Sequence, residues 1–503
     1  MLPFTEDALA DVGRAAARAA WQSGMSVLRP DGVVVEIPLV AEPEVFTRSA
    51  LAALAAEARA ILSGAVKLAR ALVTQGDARD REALLGPFEG LEAEAMARLF
   101  EEAPCAAVVA RVDFLQPGEP DQRGGAAVPV RGPLGGEPDQ RGGAAFPVRG
   151  PLGGEPDQRG GAAFPVRGTG EGEPPGSAAL PRALELNATI PAMPAYADLA
   201  AHAWLRAAAR GRGMTPRQAD GLVAACGSNM ENLREALVAH YRARGGSRAR
   251  PSIALVARPG DAQIGELRRL AEHFRQMGHQ AENLVPSGCE PEQWDLLYRH
   301  VWAHNTPPES PFARALRAPA RFVLANPVNG MLEAKALFAR LSECAEDARL
   351  ARLAGLDGAE LAAARRLPVT RRLDAALAPR LLAEREQWVL KRSWDYGGKS
   401  VHLGRELLPD EWARVVEAAL ADRRGGGFVA QERILAARRP ATRVAPEGVE
   451  RSDLYRDVST YTGLGPFAPS GSVVRAAASP VVNILGGGGL APVIPEDVLA
   501  ALR

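Results

Sequence analysis

The chain has 503 residues, 47% of them hydrophobic, and its 60 Lys and Arg balance 60 Asp and Glu. That length predicts two to four domains with real cores, and zero net charge gives no electrostatic reason to expect nucleic acid or an anionic membrane as partner. Cys105, Cys226, Cys289 and Cys344 show neither C-x-x-C nor metal-ligand spacing, no uninterrupted apolar run approaches the ~20 residues of a membrane span, and the N-terminus is acidic where a signal peptide is basic, so a cytoplasmic protein with reduced thiols is expected.

Helical periodicity runs from Glu6 to Met25. Ser26 to Leu28, the turn Pro30-Asp31-Gly32 and Val33 to Leu39 predict strand, turn and strand. A long Ala/Leu amphipathic helix follows from Phe46 to Thr74, bearing Lys67, and another from Leu91 to Phe100. Ala106 to Phe114 reads as a buried strand on which Arg111 and Asp113, two apart, share a face; they either pair with each other or leave Arg111 to a ligand. From Gly118 the motif G-E-P-D-Q-R-G-G-A-A-[VF]-P-V-R-G-P-L-G recurs with a period of 18, with Val128 standing where later copies have Phe146 and Phe164. Pro and Gly dominate and no helix or strand period survives, so residues 116–178 are expected to be a disordered or loosely ordered loop inserted between two strands, with a partner-binding arm as the alternative.

Order resumes at A-L-E-L-N-A-T (183–189), where Glu185 and Asn187 present two oxygen donors on one strand face. Hard oxygen ligands suit Mg²⁺, although an E-x-N on a half-exposed strand needs no metal to explain it. Helices are expected over Ala197 to Arg210 and Pro216 to Arg244. After a polar break at 244–248, the strand Ser252 to Ala257, the turn 259–262 and the helix Gln263 to Met277 start an α/β module with its functional groups at the strand's C-terminal edge. Gln263 lies there, as does Asp261, plainly read as a helix N-cap. Leu296 to Arg299 and Phe322 to Ala325 predict further strands, Met331 to Ser342 a helix bearing Lys335, and Pro368 to Leu373 an extended segment.

The chemistry-bearing stretch is W-V-L-K-R-S-W-D-Y-G-G-K-S-V-H-L-G (388–404), a predicted β-hairpin with Lys391, Asp395, Gly397, Gly398 and Lys399 around its turn. Glycine amides with lysines suit a polyphosphate and the carboxylate suits its Mg²⁺, while an ordinary charged hairpin tip is the plain alternative. Of the 60 basic residues only four are Lys, and three of those lie between 335 and 399. In so Arg-rich a chain, Lys persists where a compact ammonium on a thin stem is needed. A helix (Pro409 to Ala421), a strand (Phe428 to Ile434) whose backbone could meet an adenine edge, and a buried strand ending at Arg475 follow. Val481 to Leu485 is taken as a strand leading into Gly486 to Gly489, a mobile loop or a linker.

In this order the segments resemble the eukaryotic-type glutathione synthetases, which are circularly permuted ATP-grasp ligases. A-R-V-D-F (110–114) resembles that family's strand with a substrate Arg, E-L-N-A-T its Mg²⁺-binding E-I-N-T, R-P-G-D-A-Q (258–263) and Y-R (298–299) its substrate segments, and L-E-A-K (332–335) the helix with one ATP lysine. V-L-K-R-S-W-D-Y-G-G (389–398) resembles V-L-K-P-Q-R-E-G-G-G, F-V-A-Q-E-R-I (428–434) the adenine hinge, and G-S-V-V-R (471–475) with the glycine run resembles G-Y-L-L-R-T and the loop over the substrate. The family's Ser-rich stretch after E-I-N-T is here I-P-A-M-P-A-Y (190–196).

The resemblance implies an α/β (α+β) permuted ATP-grasp fold with an inserted α/β substrate-binding domain and a lid. Its parts would be 1–248, with the repeat inserted at 116–178; 249–328 as the substrate domain; and 329–503, with a lid at about 372–440. It implies ATP and Mg²⁺ as cofactors. Lys335, Lys391, Gly397, Gly398, Lys399, Gln431, Glu432, Ile434 and Asp457 would be nucleotide contacts, and Glu185, Asn187 and Asp395 metal ligands. Arg111 and Arg475 would be catalytic and substrate contacts, with Gln263, Arg299, Gly487 and Gly488 as further substrate contacts. Small carboxylate and amine substrates are the expected partners, with no nucleic acid or membrane and a homodimer left open. The expected activity is ATP-dependent amide or peptide ligation. Alternatives are a different peptide or natural-product amide as product, and a non-catalytic ATP-binding regulator or scaffold.

Overall fold

Gly448–Thr462 is the longest strand, exposed over its first residues and wholly buried from Asp457 to Thr462, where it lies inside a seven-stranded sheet. The computed structural model describes residues 4–117, 181–395 and 397–502; from residue 118 on, the expected repeat insertion lies outside the described residues. The sheet runs, edge to edge, Arg438–Ala445, Leu39–Val40, Gly489–Ala491, Ser472–Ala477, Gly448–Thr462, Ala110–Leu115 and Arg182–Asn187. Arg438–Ala445 also pairs with Gly448–Thr462, so the sheet folds back on itself. Register decides which side chains meet. Asp457 lies opposite Arg475, Ser459 opposite Asp113, and Tyr461 opposite Arg111. Asp113 in turn lies opposite Glu185 and Arg111 opposite Asn187, with a bulge after Asp113. Residues directly across a ladder share a face, so one face collects Arg475, Asp457, Asp113, Arg111, Glu185 and Asn187.

The helix Arg48–Gln75 starts at Thr47, whose hydroxyl accepts from Ala50 N, and buries Leu54, Ala58, Ile61, Leu62, Leu68 and Leu72 in the main core. By length and composition this 28-residue helix could cross a membrane; here its apolar stripe is covered by protein. The helices Glu6–Gln22 and Pro194–Gly211 pack together in a second core around Trp204 and Tyr196.

Leu324–Ala325, Leu296–His300, Ile253–Ala257 and Ala281–Leu284 form a separate, wholly parallel sheet with the helix Ile264–Gln276 following the 253–257 strand. The expected hairpin is present: Trp388–Arg392 pairs antiparallel with Val401–Leu403, Lys391 opposite Val401. It joins Phe428–Glu432 and Thr370–Arg372 in a four-stranded antiparallel sheet. The helix Pro409–Ala421 covers this sheet, with Trp388, Leu390, Trp412 and Phe428 in their shared core.

Four expectations are corrected. The helix foreseen over 216–244 is two, Pro216–Cys226 and Asn229–Ala243, because Gly227 takes a left-handed φ of 89° and Ser228 caps the second at Glu231 N. The helix foreseen from Met331 begins instead at Lys335, after a 3₁₀ turn over Gly330–Glu333. Leu91 to Phe100 is broken into Gly90–Ala97 and Leu99–Glu102. Val481 to Leu485 is loop and turn, its last residues bent so that Gly487 and Gly488 amides donate to the Ile484 and Asn483 carbonyls.

Candidate active site

The shared sheet face is a chain of opposite charges. The guanidinium of Arg111 donates from Nε (2.8 Å) and Nη2 (3.0 Å) to the two oxygens of Asp113, and from Nη1 to the Ala192 carbonyl at 3.1 Å. Arg475 donates from Nε to Asp457 Oδ1 at 3.0 Å and from Nη2 to Asp113 Oδ2 at 2.9 Å, and its Nη2 also bonds Asp457 Oδ2. Arg111, Asp113 and Asp457 are buried. Burial pushes the Asp113 carboxyl up, but the Arg111 and Arg475 guanidiniums outweigh it and hold it at about 2. At Asp457 burial prevails and its pKa is raised despite Arg475. These charges satisfy one another, the arrangement that makes a buried charge tolerable.

Beside them the hairpin and the helix start at Lys335 bring two ammonium groups to Glu185. Lys335 Nζ donates to the Asp395 carbonyl at 3.0 Å and stands 3.7 Å from Glu185 Oε2. Lys335 is held there by its own amide, which donates to Ser393 O at 2.7 Å, while Ala336 N donates to Ser393 Oγ at 3.1 Å. Lys391 is buried in the hairpin and donates to Gln431 Oε1 at 2.7 Å. Burial pushes its pKa down to about 8; the Lys335 charge adds to this, and the Glu185 and Asp113 carboxylates oppose it. Gln431 also donates to Leu184 O (3.3 Å) and Thr370 Oγ1 (3.1 Å), tying the hairpin sheet to the strand that carries Glu185.

Glu185 and Asn187 carry the oxygen atoms here that could hold a divalent cation. Glu185 is half-buried, and the Nδ2 of Asn187 is buried with no hydrogen-bond partner, a donor left over for an acceptor such as a phosphate oxygen, while its Oδ1 is the atom of the kind a cation takes. Mg²⁺ is commonly held by one or two such groups plus phosphate and water. The Asp395 carboxylate is engaged within the hairpin: its Oδ2 accepts from Ser400 Oγ and lies 3.9 Å from Arg392 Nε. Among the described residues no group of three or more His, Cys, Asp or Glu stands close enough to hold a metal.

At the hinge, Glu432 bonds Arg182 Nη2 at 3.2 Å and accepts from Val369 N at 3.2 Å, and Ile434 is buried. Gly397 and Gly398 have φ of 72° and 73° at the exposed tip, next to exposed Lys399. That tip meets the loop before the glycine run: Asn483 Nδ2 donates to Gly397 O at 3.0 Å, and a Cβ on Gly398 would come within 2.8 Å of Val481 Cγ1. The hairpin and the loop leading to Gly487 and Gly488 therefore touch.

Two expected substrate residues make hydrogen bonds within the protein. Arg299 is fully buried and donates to Asn326 O (2.9 Å), Val301 O (2.8 Å), Pro327 O (2.8 Å) and Asn329 Oδ1 (3.3 Å). Gln263 Oε1 lies 3.0 Å from His300 Nε2. Glu333, Glu266, Asn326 and Asn329 carry no role in the sequence reading. Glu333 accepts from Ala188 N at 2.6 Å and also from Thr189 N, and Glu266 accepts from Met193 N (2.9 Å) and Ala195 N (3.1 Å). Asn326 and Asn329 each donate to Ala188 O, at 2.6 and 3.2 Å. Together they fix residues 188–195, directly after Asn187. Burial pushes Glu333 and Glu266 up to about 7. A carboxylate two residues before Lys335, in L-E-A-K, was the signal available for Glu333.

No family model and no curated protein matches the sequence. Among solved structures the chain is similar to a glutathione synthetase-like effector (GSS30) from Globodera pallida in its apo form, at 12% identity with a TM-score of 0.58, covering 98% of this chain and 99% of that one. The fold is glutathione synthetase-like. That likeness covers the mixed α/β architecture with its several sheets; within the glutathione synthetase-like fold, the charged sheet face and the lysine-bearing hairpin are features of this chain's own side chains.

Proposed function

We propose that the protein is an ATP-dependent carboxylate–amine ligase. One observation carries this reading: Lys335 Nζ stands between Glu185 Oε2 and the hairpin carbonyl of Asp395, with Lys391 buried close by, so two ammonium groups and two oxygen donors converge at one sheet edge. Cations beside a half-exposed carboxylate and an incompletely bonded amide suit a metal–polyphosphate, which carries both signs of charge.

In this reading Lys335 and Lys391 contact phosphates, and the backbone from Gln431 to Ile434 meets the adenine. Glu185 and Asn187 would hold Mg²⁺, which supplies charge neutralisation of the γ-phosphate. A carboxylate oxygen of the acid substrate attacks the γ-phosphorus as the bond to ADP breaks. The amine nitrogen then attacks the acyl carbon, the bond to phosphate breaks, and the ammonium proton is lost to solvent. Arg475 and Arg111 lie on the face where the acid would sit and stabilise developing negative charge. The hairpin tip and the 483–488 loop exclude water, which otherwise hydrolyses the acylphosphate.

A second reading, an ATP-binding regulator without turnover, is favoured by the pairing of both arginines with Asp113 and Asp457. Substrate-dependent ADP release separates the two. With γ-glutamylcysteine plus glycine as the first pair and a panel of other acids and amines after it, the ligase reading expects release that Glu185→Ala and Lys391→Ala abolish. Tight MgATP binding with no release across the panel favours the regulator.

A further inference from the structure

The residue before Asp395 departs from the resemblance noted in the sequence: Trp394 stands where the similar segment has Arg. Its neighbours are unlike those of the rest of the hairpin. Trp388, Leu390 and Phe428 pack inside the hairpin sheet with Trp412. Trp394 instead packs on the main core, with the ring of Phe88 at 4.8 Å, His304 at 5.4 Å and Trp302 at 5.7 Å, all near-perpendicular or steeply tilted. These rings belong to the loop before the helix Gly90–Ala97 and to the segment after the parallel strand Leu296–His300. They are held in turn: His304 is stacked on Trp302 at 22° and its Nδ1 lies 2.7 Å from Glu92 Oε2. The Trp394 main chain is anchored on the other side, its amide donating to Gly425 O at 2.9 Å.

We propose that Trp394 is a positioning residue, an aromatic clasp that seats the hairpin on the body of the protein. Seating the ring fixes the next residue, whose carbonyl receives Lys335 Nζ, and so sets that ammonium beside Glu185. Edge-to-face ring pairs favour one orientation over a slide, which suits a clasp that must repeat the same closure each time. The clasp also joins the hairpin to the C-terminal end of the parallel sheet, where Gln263 and His300 meet, so seating the hairpin and completing that end of the site become one event. Only the catalytic consequence of the clasp rests on the ligase reading; the geometric claim stands without it.

The chain's four lysines make the test direct. Reductive methylation followed by peptide mass spectrometry reads Lys67, Lys335, Lys391 and Lys399 separately in the full-length protein. In Trp394→Ala, Lys335 is expected to be modified about tenfold faster, as loss of one or two aromatic contacts implies. Trp394→Phe should restore most of the protection, and Lys67 should not change. If Lys335 keeps its wild-type rate in Trp394→Ala, the clasp is wrong. Should all four lysines speed up through unfolding, His304→Ala, an exposed substitution on the body side, decides: acceleration confined to Lys335 supports the clasp, and an unchanged rate overturns it. Protection of Lys335 by MgATP is measured in parallel. Its absence in the wild type, with the Trp394 effect intact, would defeat the ligase reading and leave the clasp standing.

Discussion

At the scale of single residues, Lys391 and Arg475 make opposite uses of burial. Lys391 is buried with the neutral amide of Gln431 as a hydrogen-bond partner, and its pKa falls to about 8. A bound polyphosphate favours the ammonium, so binding draws a proton onto Lys391 wherever the free protein has lost it. MgATP affinity should therefore be flat below about pH 8 and fall above it, by up to about tenfold per pH unit; isothermal titration calorimetry from pH 6.5 to 9.5 checks this. Arg475 is half-buried and held against the buried carboxylates of Asp457 and Asp113. Arg475→Ala leaves buried Asp457 without its guanidinium, while Asp113 keeps Arg111, and should lower unfolding stability by about 3 kcal/mol in urea titrations. Residue identity was legible where local pattern sufficed: E-x-N put Glu185 and Asn187 on one face, and the lysine census singled out 335, 391 and 399, of which 399 stands exposed at the hairpin tip. Arg299 was not legible. An arginine at a strand end looks the same in sequence whether it faces a ligand or, as here, caps carbonyls about 27 residues downstream.

At the scale of elements, the segment 188–195 is pinned by two carboxyls that the fold keeps close to neutrality. Glu333 and Glu266 rise to about 7 through burial, against an ordinary value near 4.5. A raised carboxyl pKa means the folded state binds more protons than the unfolded one between those values. The stabilising contribution is complete below about pH 4.5 and is lost as pH rises through about 7. Thermal melts should therefore show the melting temperature falling from pH 5 to pH 8. Glu333→Gln with Glu266→Gln should flatten that fall, because each glutamine oxygen can still accept from the same amides. The hairpin at 388–404 and the helix at 409–421 were legible because turn glycines and a proline start mark them. The strand Gly448–Thr462 was not: its first residues are exposed on both sides and its last six are buried on both, so no period of two marks it. Its register against Ala110–Leu115 and Ser472–Ala477, which decides that Asp457 meets Arg475, is a long-range fact.

At the scale of the molecule, a seven-stranded sheet supplies one charged face, a parallel sheet buttresses residues 188–195 through Asn326 and Asn329, and a small antiparallel sheet presents the lysine hairpin. The order of segments along the chain carried the fold class, since strand-turn-helix and hairpin signals are local. The gathering of Glu185, Lys335 and Lys391, separated by up to 206 positions in the numbering, needed the three-dimensional arrangement. The central claim is that this gathering is a metal–nucleotide site. Calorimetric titration of the full-length protein with ATP, with and without Mg²⁺, tests it most directly, alongside Glu185→Ala and Lys391→Ala. The account predicts saturable, Mg²⁺-dependent binding that both substitutions weaken by about tenfold or more, the loss expected for a charge-assisted contact. Absence of binding in the wild-type protein, or equal binding in all three, would contradict it.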